Sequence, residues 1–441
     1  MDGHDAAALG LVFFPAFDWA ISPSHPEREE RLLYTRDQIV EEGLLDVGGI
    51  REYKPQLAKW LDLQRVHIGV PDIATLITDA HRVSAGGAIT AAEAVMRREV
   101  SRAFALVRPP GHHAMRVVHG TRGFCTVNIE AVMVEYLRRH WGIRRVAIVD
   151  TDVHHGDGTQ DIFYHDPDTL FISFHQDGRT LYPGSGAVSE LGGPAALAAT
   201  VNLPLPPGTG DQGLHAVLDQ LILPMLEDFQ PDIVINSAGQ DNHYSDPLAN
   251  MSVTAQGYAR LAEKLRADIA VLEGGYSIED ALPYVNVGII LAMAGMDYSR
   301  VVEPDIERCP RQGAEQTIYV ERLIRQWREI WSNRETMRRE ARAKAGDFWR
   351  RQRRIYYDDS GIDEVQRETV RICPQCHGYM TIDTQAETSF KQTTAFAAIL
   401  PRESCPACRR AATDAAGAAR KSGDYQHVYV QDKDGDSLEE I

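Results

Sequence analysis

An apolar run that stops abruptly at aspartates and histidines constrains this chain most. Residues 146–149 read Val-Ala-Ile-Val, and residues 150–158 contain three aspartates and two histidines. A continuous apolar run is typical of a strand buried in a parallel sheet. Ligands of such sheets bind just beyond the carboxyl ends of the strands. The pattern therefore predicts an α/β fold with a functional site directly after residue 149.

Asp152 and His154 in this cluster have the spacing of metal ligands. Residues two apart in an extended segment point to the same side. One carboxylate and one imidazole supply two of the three protein ligands of a catalytic zinc site, which keeps one position open for water. The alternative is a solvated acidic loop. A purely structural core is disfavoured, because unpaired charges are rarely buried.

Strand-like runs alternate with helical periodicity through the first 300 residues, which predicts βαβ units and a parallel sheet. The predicted strands are 9–14, 103–107, 145–149, 169–174, 233–236 and 269–272, and the predicted helices are 85–98, 129–140, 213–229 and 255–265. Most of these strands are followed by polar, glycine-rich segments with reactive side chains. Since the carboxyl ends of parallel strands share one edge, these segments are expected to converge on a single site.

The converging segments offer the remaining parts of a hydrolytic site. A third metal ligand comes from Asp241 or His243, and the residues alone leave both open. His112 and His113, held by two prolines and a glycine, are candidates for a general acid/base pair. Such histidines need carboxylate partners.

Asp150 and Asp157 are the carboxylates left for that task. Tyr276, after two glycines, is either a hydrogen-bond donor to a developing oxyanion or a packed turn residue.

Length, composition and charge limit the classes of protein to which this chain can belong. The chain has 441 residues, 44% of them apolar, which suffices for one large domain and a smaller one. Its net charge of −17 favours a cationic partner, so nucleic acid is not expected. A membrane span is not expected either, because the apolar runs are too short. The start, Met1–Asp5, lacks the basic flank of a signal peptide, and we expect a cytoplasmic protein.

Two Cys-Pro-x-Cys pairs indicate a second metal site, separate from the first. Four thiolates in two such turns are typical of a structural zinc ribbon, although the gap between the pairs is long. A redox dithiol is the alternative, but it would need only one pair. The predicted ligands are Cys373, Cys376, Cys405 and Cys408.

The predicted division of the chain is a catalytic domain over 1–300, a helical extension and linker over 301–370, a zinc-ribbon module over 371–431 and an acidic tail over 432–441. Helical composition extends over 318–354, and 358–368 is typical of a linker. Residues 321–354 are basic, which indicates a solvated helix face. The alternative is a docking surface for an acidic partner or for another subunit of a homo-oligomer.

Six motifs occur in this order along the chain: Ser22–Glu27, Arg108–Ala114, Gly123–Cys125, Asp150–Gln160, Ser237–Leu248 and Glu273–Tyr276. Together they resemble the zinc-dependent histone deacetylase family, which includes acetylpolyamine amidohydrolases and acetoin-utilisation proteins. The resemblance covers about residues 10–300 and implies a three-layer α/β/α fold with a mainly parallel sheet.

The resemblance implies a role for each candidate. Asp241 is then the third ligand of the catalytic zinc. His112 pairs with Asp150, and His113 pairs with Asp157 and serves as the general base. Tyr276 polarises the scissile carbonyl. The implied substrate-binding residues are Gly123, Phe124, Tyr182 and Gly275, with Phe124 and Tyr182 as the walls of an acyl-lysine tunnel.

Two further implications concern cations. An inner potassium site is expected at Asp150, Asp152, His154, Ser173 and Phe174. The related dimanganese hydrolases need further carboxylates, and here Gly156 and His243 stand at the corresponding positions, so one catalytic metal is expected. Ferrous iron instead of zinc stays open.

The implied reaction is metal-assisted amide hydrolysis, removing acetyl or other acyl groups from lysine side chains of proteins or peptides. An acetylpolyamine amidohydrolase is the first alternative. A non-enzymatic adaptor built on the zinc ribbon is the alternative from another class.

Overall fold

The computed structural model describes residues 7–17, 19–22 and 24–441; the start at Met1–Asp5 and Pro23 of the first motif lie outside it. The strands, in chain order, are β1 (Ala7–Phe14), β2 (Ile50–Tyr53), β3 (Ile68–Gly69), β4 (Val100–Val107), β5 (Val117–Val118), β6 (Val146–Asp150), β7 (Thr169–Gln176), β8 (Thr200–Leu205), β9 (Ile233–Ala238), β10 (Ile269–Leu272), β11 (Phe348–Tyr357), β12 (Ile362–Arg371), β13 (Met380–Glu387), β14 (Gln392–Leu400), β15 (His427–Asp432) and β16 (Ser437–Glu440).

The helices connect and cover these strands. They are α1 (Glu30–Glu41), α2 (Trp60–Gln64), α3 (Asp79–Met96), α4 (Ile129–Trp141), α5 (Asp157–Phe163), α6 (Asp211–Val217), α7 (Leu223–Phe229), α8 (Ala255–Leu265), α9 (Leu282–Met293), α10 (Ala314–Ala345) and α11 (Pro406–Ser422). A π-helical turn, Leu218–Ile222, joins α6 to α7, and short 3₁₀ turns lie at Ile73–Thr75 and Ile306–Arg308. In the described part of the chain, no helix is both long enough and apolar enough to cross a bilayer.

The first sheet has eight strands in the order β2-β1-β4-β10-β9-β6-β7-β8, and each neighbouring pair is parallel. Successive side chains of a strand point to opposite faces of the sheet, and in this sheet both faces are buried. Leu9 and Leu11 of β1 pack with α1 and α6–α10 on one side. Val12 packs with α3 and α4 on the other. The predicted three-layer α/β/α fold with a parallel sheet is therefore confirmed.

The C-terminal part of the chain is more extensive than the predicted zinc ribbon. It forms a six-stranded sheet, β11-β12-β13-β14-β15-β16, antiparallel except for the pair β14/β15. Helix α11 makes the crossover between those two parallel strands and packs on one face through Ala412, Ala416 and Ala419. The other face packs on Ile68 and Val117 of the first 300 residues.

Two local predictions are wrong. The helix predicted over 318–354 ends at Ala345, and the linker predicted over 358–368 is largely strand β12. The arginines of β11 suggested a solvated helix, but Arg351 and Arg353 are half-buried and bonded to Glu368 and Asp161. A strand whose charged side chains are paired at an interface thus has a composition similar to that of an exposed helix.

Helix α10 is anchored to the first sheet by Trp327. Its indole is fully buried, and its Nε1–H donates to the Asn202 carbonyl over 2.7 Å. We expect Trp327→Ala to destabilise the protein by about 3–5 kcal/mol, because it leaves a large cavity and an unpaired carbonyl. Urea unfolding would measure this. Ile318→Ala on the same helix, where the side chain is 63% exposed, is the matched control and should change stability by less than about 0.5 kcal/mol. Equal midpoints for the two variants would contradict the anchoring role.

Candidate active site and metal centre

The carboxyl ends of four neighbouring strands deliver the candidate residues to one edge of the sheet. His112 and His113 follow β4, Asp152 and His154 follow β6, and Asp241 follows β9. Tyr276 follows β10, which lies between β4 and β9. Because all these strands are parallel, residues from separate stretches of sequence meet at one place.

Asp152, His154 and Asp241 form a cluster that could hold a metal ion. One ligand atom from each lies within 4.8 Å of the others. His154 Nδ1 is 3.1 Å from a carboxylate oxygen of both aspartates. The carboxylates are fully buried and the imidazole is 11% exposed, so the cluster is reached from the imidazole side.

The electrostatics of this cluster fit a cation. Burial alone would lower the pKa of His154, but its hydrogen bonds with Asp152 and Asp241 raise it to about 10. Two buried carboxylates around one imidazole carry more negative charge than the ring can neutralise, and a divalent ion would balance it.

The other candidate ligand, His243, points away from the cluster. Its Nε2 is 3.1 Å from Glu303 Oε1, and its Nδ1 is 2.9 Å from Ser245 Oγ. Gly156 lies on the opposite side, where a Cβ would come within 2.0 Å of Asp150 Oδ2. A carboxylate at this position would require Asp150 to move. Among the described residues of this site, the group with metal-ligand geometry is Asp152, His154 and Asp241.

His113 is oriented by a carboxylate that is itself paired. Its Nδ1 is 2.7 Å from Asp157 Oδ1, while Arg122 donates to Asp157 Oδ2 over 2.6 Å. Although burial would raise it, the pKa of Asp157 is held below its usual range by Arg122 and His113. Burial, together with the charge of His112, lowers the pKa of His113 to about 3. His113 is therefore a neutral imidazole with Nδ1–H directed at Asp157 and a free lone pair on Nε2.

His112 differs from its neighbour in the direction of its pKa shift. Its Nδ1 is 3.1 Å from Asp150 Oδ2. Burial opposes protonation, but Asp152 and Asp150 hold the pKa of His112 well above its ordinary value. The buried Glu273 accepts from the backbone N–H of His112 over 3.0 Å, which fixes the start of the histidine pair. The two rings, with centroids 4.0 Å apart, thus have pKa values shifted in opposite directions.

Aromatic rings flank the cluster on two sides. Tyr276 is 93% buried, and burial raises the pKa of its phenol well above the ordinary value, so it remains a proton donor. The Phe124 ring lies edge-on to it, with centroids 5.7 Å apart. Tyr182 lies 5.2 Å from the ring of His113 and 6.2 Å from that of His154.

Gly123 and Gly275, which lie next to Phe124 and Tyr276 in the chain, are closely packed. A Cβ at Gly123 would come within 2.5 Å of the His113 ring, and one at Gly275 would come within 2.8 Å of Leu282. Both have left-handed φ values, +52° and +124°, which glycine adopts readily.

Three of the five residues predicted to hold potassium lie on adjacent strands, and Asp152 and His154 lie in the loop after β6. Asp150 at the end of β6 is in register with Ser173 of β7, and Phe174 follows it. The Ser173 hydroxyl lies 2.9 Å from His175 Nδ1.

Sequence reasoning missed a buried ion network behind the site. Glu27 bridges Arg31 and Arg108, at 2.8 Å and 2.6 Å. Arg31 also donates to the Gly275 carbonyl over 2.7 Å and lies over the Tyr276 ring at 4.8 Å. The spacing of Glu27 and Arg31, four residues, was the available signal.

Gln240 lies beside Asp241 but outside the cluster. Its amide donates to Asn286 Oδ1, and Asn286 in turn donates to the Thr35 hydroxyl over 2.9 Å. Gln240 thus links the loop after β9 to α9 and α1.

The four paired cysteines gather at the far end of the C-terminal sheet. Their Sγ atoms lie within 4.8 Å of one another, and the thiols are free. Cys373 and Cys376 follow β12, while Cys405 and Cys408 lie at the start of α11. This geometry could hold a second metal ion.

Comparisons with known proteins agree with this geometry. Residues 72–288 match the histone deacetylase domain family. A probable deacetylase of Archaeoglobus fulgidus is 46% identical over 67% of this chain and 89% of its own length. The acetoin utilization protein AcuC of Bacillus subtilis is 30% identical over 67% of this chain and 84% of its own. The crystal structure of the HDA15 HD domain superposes with a TM-score of 0.64, at 27% identity over 76% of this chain and 97% of that one.

The two clusters predict two bound metal ions per chain, measured by elemental analysis after dialysis. Asp241→Ala should lose one ion. The double variant Cys405→Ser/Cys408→Ser should lose the other and keep hydrolytic activity. Cys309→Ser, an isolated cysteine outside both clusters, is the control and should keep both ions. A single ion in the unaltered protein would contradict the assignment.

Proposed function

The chain belongs to the histone deacetylase family, and from that membership we propose that it hydrolyses Nε-acyl-lysine in proteins or peptides. The family membership makes it a deacetylase acting on linear amides. The observation that carries the proposal is the convergence of Asp152, His154 and Asp241 within 4.8 Å. That cluster lies beside an oriented neutral histidine and a buried phenol.

In this proposal a divalent ion, zinc in the first instance, is held by the three clustered residues. Such an ion supplies Lewis acidity to the acyl carbonyl and makes a water molecule more acidic. A second, structural zinc is assigned to the four cysteines. A potassium ion is assigned to the end of β6, supported by the adjacency of Asp150 and Ser173.

His113 serves as the general base. Asp157 fixes the Nδ1–H tautomer, so Nε2 can accept a proton from the attacking water. Arg122 keeps Asp157 ionised, which stabilises the imidazolium that results. A protonated histidine of the pair then delivers a proton to the leaving amine, and the products are a carboxylate and a free amine.

Tyr276 binds the carbonyl oxygen of the substrate. A neutral, buried phenol donates its strongest hydrogen bond when that oxygen becomes an oxyanion, so it lowers the barrier more than it strengthens ground-state binding. Phe124 and Tyr182 enclose the alkyl chain of the acyl-lysine, and Gly123 and Gly275 allow backbone to approach it.

The second candidate is an acetylated polyamine as substrate. The net charge of −17 suits both candidates, since each substrate class carries cations near the amide. The free thiols of the paired cysteines support a reducing compartment, and we propose the cytoplasm. A homo-oligomer through the basic stretch 321–354 stays a prediction.

We expect Tyr276→Phe to lower kcat by about 10²–10³-fold, the effect of losing one oxyanion donor. Steady-state hydrolysis of an acetyl-lysine peptide would measure it, with metal content checked in parallel. Tyr34→Phe, which removes a hydroxyl from a 42% exposed tyrosine, is the control and should leave kcat unchanged. Full turnover in Tyr276→Phe would remove the phenol from the mechanism.

A direct comparison of substrates separates the two candidates. We expect higher kcat/KM on an acetyl-lysine peptide than on N-acetylspermidine, with both reactions lost after chelation and restored by added zinc. The reverse order would assign the protein to the polyamine amidohydrolases. Undiminished hydrolysis after complete metal removal would overturn the mechanism for either substrate.

A further inference from the structure

The chain between His113 and Phe124 is backed by the C-terminal sheet over most of its length. The Tyr357 hydroxyl donates to the Val117 carbonyl over 2.8 Å, and His119 Nε2 lies 3.1 Å from Thr384 Oγ1. Met115 packs against Ile355 and Tyr357. This segment joins the proposed base to the proposed tunnel wall, so the C-terminal sheet lies where it can position both.

The turn between β11 and β12, residues 358–361, reaches the tunnel wall itself; we call it the rim turn. Asp358 Oδ1 accepts from the Gly123 N–H over 3.0 Å and from the Tyr182 hydroxyl over 3.2 Å. Asp359 Oδ2 accepts from the Phe124 N–H over 2.8 Å. Two carboxylates of the C-terminal sheet therefore contact both proposed walls.

These contacts act on a strained piece of backbone. Gly123 and Phe124 have φ values of +52° and +69°, a region that is sterically unfavourable for a phenylalanine. Both N–H groups are held by rim-turn carboxylates. The packing is close as well, because a Cβ at Gly120 would come within 2.5 Å of Ser360 Oγ. The rim turn thus stabilises the conformation that directs Phe124 toward Tyr276.

The rim turn also places negatively charged side chains beside the two proposed tunnel walls. Asp358 and Asp359 are both exposed, and the contacts above use one oxygen of each. The nearby Arg122 is buried, and its guanidinium is bonded to Asp157 and to the Tyr356 carbonyl. Its charge is paired internally, so the exposed charge that the rim turn adds beside the two walls is negative.

We propose that Asp358 and Asp359 are positioning and specificity residues of the deacetylase. They hold Gly123, Phe124 and Tyr182 in the wall of the acyl-lysine tunnel, and they favour substrates with positive charge next to the scissile amide. The inference rests on the proposed function, and it makes the C-terminal sheet part of the substrate site.

Two substitutions at one position separate the two roles. Asp358→Asn keeps a side-chain carbonyl that can accept from Gly123 and Tyr182 but removes the charge, whereas Asp358→Ala removes both. Asp363→Asn is the matched control, because this aspartate is exposed and lies on the same hairpin, where its charged neighbour is Arg354. Acetyl-lysine peptides flanked by arginine, serine or glutamate are the probes.

We expect the unaltered protein to prefer the arginine-flanked peptide over the glutamate-flanked one, mainly through KM. Asp358→Asn should reduce that preference about threefold, and Asp358→Asn/Asp359→Asn about tenfold, as expected for solvent-exposed charges several ångströms apart. High salt should weaken the preference in the unaltered protein. Asp358→Ala should in addition lower kcat on all three peptides about tenfold or more, with Asp358→Asn affected less. Asp363→Asn should behave as the unaltered protein.

Readouts independent of turnover keep the test decisive. Hydrogen exchange at the Gly123 and Phe124 amides should accelerate in Asp358→Ala and Asp359→Ala but not in Asp363→Asn, with melting temperature checked in each. Unchanged exchange would overturn the positioning role. An unchanged preference in the double asparagine variant would overturn the charge role.

Failure of the proposed function gives a different pattern. If lysine peptides are not hydrolysed but acetylspermidine is, the same variants are compared on acetylspermidine and on N-acetylbutylamine, which lacks the charge. If no amide is hydrolysed, the affinities of the arginine- and glutamate-flanked peptides, measured by fluorescence anisotropy, provide the same comparison. Equal affinity for both in the unaltered protein would then overturn the charge role.

Discussion

Two carboxylates buried side by side, Asp152 and Asp241, are the constraint on which the site depends. Removing such groups from water costs several kcal/mol each unless hydrogen bonds and opposite charge compensate. The Gly274 N–H donates to Asp152 and the Val153 N–H to Asp241, over 2.7 Å and 2.8 Å. These bonds join the loops after β6, β9 and β10. The carboxylates therefore hold the loops together as much as the loops position the carboxylates, and a bound cation would complete the compensation.

Further buried charged groups lie on two sides of this carboxylate pair and orient the side chains around it. On one side, Arg31 connects the backbone of Gly275 to Glu27 and the first helix, so a segment near the start of the chain orients Tyr276. On the other side, Arg122 and Asp157 orient His113.

Strand β12 spans ten residues, about 33 Å at the usual rise, between the cysteine cluster and the rim turn. A substitution at the cysteines is therefore made far from the candidate catalytic residues.

The sequence predicted the first sheet well because its strands are continuous apolar runs. β10 and α8 have the predicted bounds, and β6 and α4 differ by one residue at each shifted end. The edge strands β2 and β8 were missed. β2 has only four residues, with two exposed, and β8 is interrupted by a proline. Clustered polar motifs predicted which residues meet at the carboxyl edge of the sheet. Arg31 and the partners of Gln240 could not be found from such motifs, since their contacts join distant positions. The C-terminal sheet was missed for another reason, because its buried faces are built partly from paired charges.

The close contact between Gly156 and Asp150 limits how a further metal ligand could be introduced beside the cluster. A second metal would require a carboxylate where the glycine lies, yet any side chain there would collide with an aspartate already bonded to His112. Replacing the glycine by aspartate would therefore not be enough to add a ligand at this position. The Asp150 side chain, or the peptide between β6 and α5, would have to move with it.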